Sequence, residues 1–316
     1  MYGISDMGMT YLENKLVRTP VFKFEHGTKT IWIKDETKQT GGSFKFRGPD
    51  HFFEHHPEVK SVVTASSGNH AIGVSLAARK HNATATIYIP EATPQQKRQK
   101  IKAAGGHIIP VQGTYEDALQ RAKTHAIERG ETLLPSYDHP MIIQGNRGLY
   151  QEAVTQIPCT PTLVAVPVGG GGCVSAAIQE FADGDQTILA AEYAPYARVQ
   201  KLALDGFSGD IQTTYHAEPS TEGIAIKTLG TSNRAIIKSC AALTVSSVSL
   251  QELSDACRLL YSEFGIIAEL GASAGFAAAL AHDGPEPTDI LCIVTGGNID
   301  ASVHADILAA HSKKVG

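Results

Sequence analysis

The sequence lacks the features that mark secreted, membrane-spanning and nucleic-acid-binding proteins. Its five cysteines are an odd set without a C-x-x-C pair, which argues against a disulfide framework or a structural zinc site. No stretch approaches about eighteen uninterrupted apolar residues, and the first ten residues hold no basic segment followed by an apolar one. We therefore expect a cytoplasmic protein without membrane association.

An excess of basic charge is also missing. The formal net charge is -5, and the 27 lysines and arginines are scattered along the chain, so nucleic acid is not an expected partner. None of the 13 histidines stands in an H-E-x-x-H arrangement, and we predict no metal site. The expected partner is a small molecule.

Short β-branched runs alternate with longer amphipathic stretches, and this pattern indicates an α/β fold with mostly parallel sheets flanked by helices. With 42% hydrophobic residues in 316, the chain can bury two moderate cores, and we expect two lobes. The predicted strands are 61–65, 84–89, 107–111, 162–168, 188–191 and 289–294. The predicted helices are 71–80, 95–104, 115–129, 174–181 and 250–264, the last with Ser249 as its N-cap.

The first candidate catalytic segment is Thr40–Gly48, in which Lys45 lies between glycines and is flanked by Phe44 and Phe46. Glycines permit a ligand to approach the backbone closely. An apolar wall lowers the pKa of an amine, so that the amine can form an imine and move protons. The alternative is an exposed loop lysine, and the segment alone does not decide between the two.

The second segment, Thr64–His70, is a predicted strand-to-helix turn that presents Ser66, Ser67, Asn69 and His70. Backbone N–H groups at a helix N-terminus bind anions such as an amino-acid carboxylate. Simple N-capping would explain one hydroxyl and leave the other polar side chains unexplained. The turn is therefore a candidate substrate site.

Two further turns follow predicted strands. Four consecutive glycines, Gly169–Gly172, can curl their amides around a phosphate, and their spacing fits neither nucleotide-binding glycine motif. A tight turn with several positive φ angles is the alternative. Thr295, in the stretch Thr295–Asn298, would direct a hydroxyl toward the interface between the lobes, or would only close its strand.

These four segments, in this order, resemble those of fold-type-II pyridoxal-phosphate (PLP) enzymes, which have the tryptophan synthase β-like fold. They are most similar to the serine/threonine dehydratase (threonine ammonia-lyase) and serine racemase branch, over about residues 16–300. The resemblance implies that Lys45 holds PLP as a Schiff base, with Phe44 near the ring and Asn69 bonded to the ring 3-hydroxyl. It also implies that Gly169, Gly170, Gly171 and Gly172 receive the phosphate and that Thr295 faces the pyridine nitrogen.

The resemblance implies a reaction as well: α,β-elimination from a hydroxy amino acid such as L-serine, L-threonine or 3-hydroxyaspartate, giving a 2-oxo acid and ammonia. The substrate carboxylate would bind at Ser66, Ser67, Asn69 and His70. Ser67 matches the serine that moves the α-proton on the face opposite the lysine in racemases, so serine racemisation stays an alternative, as does β-replacement. A carrier without turnover is disfavoured because it needs no proton-transfer groups.

Departures from the branch refine these expectations. Where metal-dependent members carry an acidic pair, this chain has Glu192 followed by Arg198, and an arginine cannot ligate a divalent cation. The stretch Gln144–Gly148 differs from the usual Gly-Gln-Gly-Thr, which puts threonine in doubt as the substrate. Because the sequence ends at Gly316, we expect no isoleucine-sensing regulatory domain.

The resemblance also implies a domain division and an assembly. Residues 1–48 and 140–316 would form the large cofactor-binding domain, and residues 49–139 the small mobile domain. The segment Glu222–Ala225 resembles the loop that closes over the substrate, and Glu269 matches a glutamate close to the cofactor. A homodimer is the expected state, since it is the commonest symmetric assembly.

Overall fold

The structure is a computed structural model that describes residues 14–207, 218, 220–284 and 288–310. Within these residues the protein has an α/β fold with two separate sheets, as the alternating pattern predicts. The strands are β1 (Val21–His26), β2 (Lys29–Asp35), β3 (Ser61–Ala65), β4 (Thr84–Pro90), β5 (His107–Val111), β6 (Thr132–Leu133), β7 (Leu163–Pro167), β8 (Thr187–Tyr193), β9 (Leu243–Val248) and β10 (Thr288–Val294). The helices are α1 (Arg47–His55), α2 (Asn69–Lys80), α3 (Gln95–Ala103), α4 (Tyr115–Arg129), α5 (Pro140–Val154), α6 (Gly172–Glu180), α7 (Arg198–Leu204), α8 (Thr231–Ser239), α9 (Leu250–Phe264), α10 (Ala274–Ala281) and α11 (Ala301–Ala309).

The larger sheet has the strand order β1-β2-β10-β7-β8-β9. All of its neighbouring strands are parallel except β1 and β2, which form an antiparallel hairpin. The hairpin turns at Gly27, whose φ of 60° is left-handed and suits a two-residue hairpin loop. Every residue of β7 is buried, as expected for a parallel strand that helices cover on both faces.

The smaller sheet has the order β5-β4-β3-β6 and is parallel throughout. Its side chains alternate between two cores, as strand geometry requires. Val62 and Ile87 pack with Ile72 of α2. Val63 and Tyr88 pack on the other face with α4. The sheet therefore forms a three-layer unit with α2 and α4.

Helix α10 lies directly against the larger sheet because its residues are small. A Cβ at Gly275 would stand 2.9 Å from the carbonyl oxygen of Ala165 in β7, which is closer than a side-chain carbon comes to backbone. Leu270 and Glu269 precede this helix. This close contact holds α10 against β7, and with it the Glu269 segment that precedes the helix.

A buried ion network anchors the start of α1, two residues after Lys45. The guanidinium of Arg47 donates to Glu36 through Nε at 2.7 Å and to Glu152 through Nη1 at 2.9 Å. Glu152 also accepts from Lys34 Nζ at 2.9 Å. The two carboxylates raise the pKa of Arg47 against the opposing effect of burial. Because a broken buried pair leaves an uncompensated charge, this network holds the Lys45 segment against β2 and α5.

The predicted elements that carry clear end signals are confirmed. Helix α4 ends at Gly130, which is left-handed with φ 64°, and α9 begins with a capping box between Ser249 and Glu252. The predicted strands 61–65 and 107–111 are present with the same bounds, and the other predicted strands and helices are present with ends shifted by at most two residues. The elements without a predicted counterpart are β1, β2, α1, β6, α5, α7, α8, β9, α10 and α11.

Candidate active site

The Lys45 segment is joined to the segment that follows β10 by backbone hydrogen bonds. Phe44 N donates to Thr295 O at 3.0 Å, and Gly297 N donates to Gly42 O at 2.9 Å. Thr295 is half-buried at the carboxyl end of β10. The first and fourth predicted segments therefore lie together at the carboxyl ends of the strands of the larger sheet, where ligands of open α/β sheets bind.

Lys45 lies in a short 3-10 turn, Phe44–Phe46, and is half-buried. Its Nζ donates to Ser136 O at 3.1 Å and stands 4.8 Å from the centre of the Phe44 ring. Burial lowers the pKa of this amine to about 8, with smaller opposing contributions from Cys173 and Glu269. Lys45 is therefore an inward-facing amine with a depressed pKa rather than an exposed loop lysine, which is what a nucleophilic lysine requires.

The second predicted segment is a strand-to-helix turn, because β3 ends at Ala65 and α2 begins at Asn69. Ser66 and Ser67 are half-buried, and Gly68 N donates to Ser66 Oγ at 3.3 Å. The N-cap residue of α2 is Gly68, which has no side chain to cap the helix. The first N–H groups of this helix are thus left to bind an anion.

A half-buried cluster of two amides and one carboxylate connects this turn to the other segments. Asn69 Nδ2 donates to the two oxygens of Glu269 at 2.9 and 3.1 Å. Asn298 N donates to Glu269 Oε1 at 3.1 Å, and Asn298 Nδ2 donates to Asn69 Oδ1 at 2.7 Å. Burial raises the pKa of Glu269, and the bond from Asn69 opposes that rise. The cluster fixes the orientation of the Asn69 amide.

His70 is buried, and its Nε2 lies 3.1 Å from Leu134 O. That carbonyl can only accept, so Nε2 carries the hydrogen and Nδ1 is an acceptor. Burial and the charge of Lys45 lower the pKa of His70 to about 3, which keeps the imidazole neutral. A neutral acceptor does not attract a carboxylate, so a substrate contact by His70 rests on its backbone N–H.

The glycine loop joins β7 to α6, and close contacts explain its composition. Only Gly171 among the four has a left-handed φ, 102°, so the several-positive-φ alternative does not hold. A Cβ at Gly170 would stand 2.3 Å from the Tyr137 ring, and one at Gly169 would stand 2.2 Å from Gly223 O. Gly171 is the N-cap of α6 and makes no side-chain cap bond. The loop therefore presents backbone amides with no room for side chains.

Glu222–Ala225 lies beside this loop, through the contact of Gly223 with Gly169. Glu222 itself pairs with Lys97 Nζ at 2.9 Å. Glu192 and Arg198, which depart from the branch, meet as a fully buried pair with 3.7 Å between Oε1 and Nη2. All of these groups are within the described residues.

The sequence profile of the pyridoxal-phosphate dependent enzyme family matches residues 9–296. The chain belongs to this family. The biosynthetic L-threonine dehydratase of Mycobacterium tuberculosis is 30% identical over 286 residues, covering 88% of this chain and 66% of that protein. The L-threo-3-hydroxyaspartate ammonia-lyase of Saccharomyces cerevisiae is 30% identical over 291 residues, covering 88% of this chain and 86% of that one.

Among solved structures, maize serine racemase superposes with a TM-score of 0.81 at 27% identity, covering 95% of this chain and 94% of that chain. The resemblance to the fold-type-II serine/threonine dehydratase and serine racemase branch is thereby confirmed, and the cofactor is pyridoxal phosphate. The chain spans about two thirds of the length of the mycobacterial relative, 66%. No helix of the described residues is long and apolar enough to span a bilayer.

The residues present fit a pyridoxal phosphate. Any side chain on Gly169 or Gly170 would collide with a neighbour, so the loop offers bare amides at the N-terminus of α6 to a phosphate. Ser175 Oγ, in the first turn of α6, is buried without a partner among the described residues. The amine of Lys45 supplies a nucleophile for the cofactor aldehyde.

Three residues of the site were not singled out from the sequence. Tyr137 packs on the glycine loop, Ser136 accepts from Lys45, and Asn298 orients Asn69. Asn298 lies within the predicted fourth segment, so its position in the sequence indicated a place in the site. Tyr137 and Ser136 follow β6, a two-residue strand whose pattern is too short to detect.

A different group, Asp50, Glu54 and His81, brings three potential metal ligands within 4.8 Å of one another. Asp50 already accepts from Lys80 Nζ at 2.7 and 2.8 Å and contacts His81 Nε2 at 2.8 Å. The Lys80 ammonium pairs with both oxygens of the Asp50 carboxylate and supplies the positive charge that a metal ion would bring. The group is an ion-pair cluster between α1 and α2 that does not include Lys45.

Proposed function

We propose that the protein is an ammonia-lyase that removes the β-hydroxyl and the amino group of a small hydroxy amino acid, L-serine, L-threonine or 3-hydroxyaspartate. The products are a 2-oxo acid and ammonia. Membership of the pyridoxal-phosphate family and the names of two relatives, a threonine dehydratase and a hydroxyaspartate ammonia-lyase, support this activity. The observation that carries it is the inward-facing Lys45 amine with a pKa of about 8.

When bound, pyridoxal phosphate withdraws electrons from the α-carbon and makes the α-proton acidic. In the proposal the amine of Lys45 takes that proton. A base works best when its pKa lies near the operating pH, and burial gives the amine such a pKa. Ser136 O, at 3.1 Å from Nζ, orients the amine.

The substrate carboxylate binds, in this proposal, at the turn formed by Ser66, Ser67, Asn69 and His70. The uncapped N-terminus of α2 supplies donors and a favourable dipole. In this proposal the Asn69 amide would share its two hydrogens between Glu269 and the ring oxygen of the cofactor, and Gly169–Gly172 would hold the phosphate. The departing hydroxyl would need a proton, which a nearby side chain or the phosphate held by Gly169–Gly172 would supply.

Thr295 would face the pyridine nitrogen. A neutral hydroxyl, in contrast to a carboxylate, does not stabilise a protonated ring nitrogen, so the cofactor is a weaker electron sink. That property suits β-elimination better than transamination. Thr295 is well placed for such a role because its carbonyl is fixed by Phe44 N, next to the lysine.

The first experiment is an absorbance spectrum of the protein with PLP, before and after adding L-serine, L-threonine or L-threo-3-hydroxyaspartate. Keto acid and ammonia are assayed alongside. A visible band that shifts with one substrate and yields keto acid supports elimination and names the substrate. A band that shifts without keto acid moves the assignment to racemisation or β-replacement.

Lys45→Ala should abolish both the visible band and turnover, because the variant has no amine at that position. Lys80→Ala is a matched control, since Lys80 binds Asp50 between α1 and α2. The control should keep the band. Full turnover by Lys45→Ala would contradict the proposal.

The pKa of Lys45 predicts the pH dependence of cofactor capture by the apoenzyme. Only the uncharged amine attacks an aldehyde, and a pKa of about 8 makes the uncharged fraction rise about tenfold between pH 7 and pH 9. The capture rate should therefore rise over this range and level off above it, as stopped-flow absorbance would measure. A rate that keeps climbing toward pH 10.5, as with an ordinary lysine, would refute the lowered pKa.

Serine racemisation is the second candidate, and the position of Ser67 favours it. Ser67 is half-buried in the strand-to-helix turn beside Asn69, where a hydroxyl could return a proton to the α-carbon. The similarity to maize serine racemase supports the same activity. Chiral chromatography of L-serine incubations tests it, since D-serine without pyruvate would replace elimination as the main activity.

We also propose the domain division 1–48 with 140–316 and 49–139, in which the smaller part moves. The smaller sheet supports it, because all of its strands lie between residues 61 and 133. Hydrogen exchange with and without substrate would test the motion. A homodimer is part of the proposal on symmetry grounds, and sedimentation velocity would test it.

A further inference from the structure

Arg198 is a fully buried cation at the carboxyl end of the larger sheet. It is the first residue of α7, and both its side chain and that of Glu192 have zero exposure. Glu192 lies in β8, next to β7, whose end carries the glycine loop. A buried charge of this kind is retained at a cost in desolvation, so its surroundings indicate its role.

The surroundings of the guanidinium are backbone oxygens. Arg198 Nε donates to Tyr196 O at 2.9 Å, and Nη2 donates to Val168 O at 3.1 Å and to Ile224 O at 3.4 Å. Nη1 donates to Ile226 O. Four carbonyls and one carboxylate form an oxygen cage, the ligand type that hard metal cations prefer. In this protein the cation inside the cage is the guanidinium of Arg198.

Glu192 is not free to ligate a metal in addition. Its Oε1 accepts from Arg198 N at 3.0 Å and Val199 N at 2.9 Å, and its Oε2 accepts from Gln200 N at 3.0 Å. The carboxylate thus caps α7, and the guanidinium balances its charge. A divalent ion at this place would displace or repel Arg198.

The oxygen cage includes the residue before the glycine loop and a residue of the segment that packs against that loop. Val168 directly precedes Gly169, and Ile224 directly follows Gly223. Gly223 O is the atom nearest to a Cβ placed on Gly169, at 2.2 Å. Through Val168 and Ile224, one guanidinium therefore sets the distance between the start of the glycine loop and the segment that lies against it.

We propose that Arg198 is a built-in cation and a positioning residue for the phosphate-binding loop, so that the enzyme needs no exchangeable metal ion at this place. The inference rests on the proposed role of Gly169–Gly172 in holding the cofactor phosphate. Removing the guanidinium should empty the oxygen cage and make cofactor binding depend on an added cation.

The wild-type protein gives the first test. PLP affinity, from titration of the visible band, and melting temperature are measured after EDTA treatment and then with MgCl2, CaCl2 or KCl. Choline chloride keeps the ionic strength constant. Both quantities should stay unchanged, with affinities within about twofold. An increase in PLP affinity of more than about fivefold with any metal ion would overturn the proposal.

Arg198→Ala gives the second test. PLP affinity should fall about tenfold or more and melting temperature by about 10 °C, because Glu192 loses its counter-charge. Guanidinium chloride at low millimolar concentration, or MgCl2, should restore part of the affinity. Unchanged affinity, or a loss that no cation restores in part, would overturn the proposal.

Arg47→Ala is the matched control, since Arg47 is also buried and paired with carboxylates but contacts no carbonyl of the glycine loop. This variant should lower stability, and its PLP affinity should not depend on added cations. A cation-dependent PLP affinity in this control would overturn the assignment to Arg198.

If Arg198→Ala does not fold, Arg198→Lys decides. One ammonium cannot reach all four carbonyls, so PLP affinity should fall, and an unchanged affinity overturns the proposal. These readouts do not require turnover, so failure of the proposed elimination is distinguishable from failure of this inference.

Discussion

Two turns of this protein occupy equivalent places and are built in opposite ways. The turn between β3 and α2 ends a strand of the smaller sheet, and the turn between β7 and α6 ends a strand of the larger one. Each places the N-terminus of a helix at the carboxyl end of a parallel strand, which favours anion binding. The first carries Ser66, Ser67 and Asn69, and the second carries only glycine after Val168.

The difference follows from how closely each turn is packed. Nothing lies within 4 Å of a Cβ placed on Gly68, whereas one on Gly170 would stand 2.3 Å from the Tyr137 ring. The first turn has space for side chains and for a ligand that enters and leaves. The second has space for backbone alone and suits a group that stays. We assign the first to the substrate carboxylate and the second to the cofactor phosphate.

The largest effect should come from breaking the tight turn. Gly170→Ala forces Tyr137 to move, and overpacking of this kind costs about 1–3 kcal/mol. PLP affinity should fall ten- to about a hundredfold, as titration of the visible band would show. Gly68→Ala is the matched control in the open turn, with a φ of -124° that alanine accepts. Equal losses in the two variants would remove the distinction between the turns.

Asn69 sharpens the comparison because it connects the open turn to the cofactor side. Asn69→Ala removes both of its bonds to half-buried Glu269. Oε1 keeps its bond from Asn298 N, and the loss of the partner of Oε2 costs about 1–3 kcal/mol. The pKa of Glu269 should rise further, since the Asn69 bond now lowers it. We expect a shifted absorbance maximum and a loss in PLP affinity of about tenfold or less. Lower stability with an unchanged spectrum would leave Asn69 a structural role only.

The sequence predicted those parts of the site that depend on local pattern. Lys45 between glycines, the polar turn after 61–65 and the glycine loop after 162–168 all follow from neighbouring residues. The start of α9 was predictable too, because Ser249 and Glu252 form a capping box over four residues. Short-range rules suffice wherever both partners lie within a few positions.

Contacts between distant segments were not predictable in this way. The glycines are needed because Tyr137 and Gly223 approach them, and neither is near the loop in sequence. Strand β2 pairs with β10 from the other end of the chain, so its place in the sheet was not evident from its own residues. The sequence showed that Arg198 departs from an acidic pair, but not that carbonyls of three segments surround it.

The smallest effect on the cofactor should come from Ser67→Ala, which changes only the open turn. If this turn holds the substrate carboxylate, one lost hydrogen bond of about 0.5–1.5 kcal/mol should raise KM for L-serine about two- to tenfold, with PLP affinity unchanged. Any formation of D-serine should fall more steeply, because that reaction needs the hydroxyl as an acid. Ser75→Ala, which removes a buried hydroxyl bonded to Ala71 O within α2, controls for loss of stability. A drop in PLP affinity in Ser67→Ala, with KM unchanged, would place the cofactor rather than the substrate at the open turn.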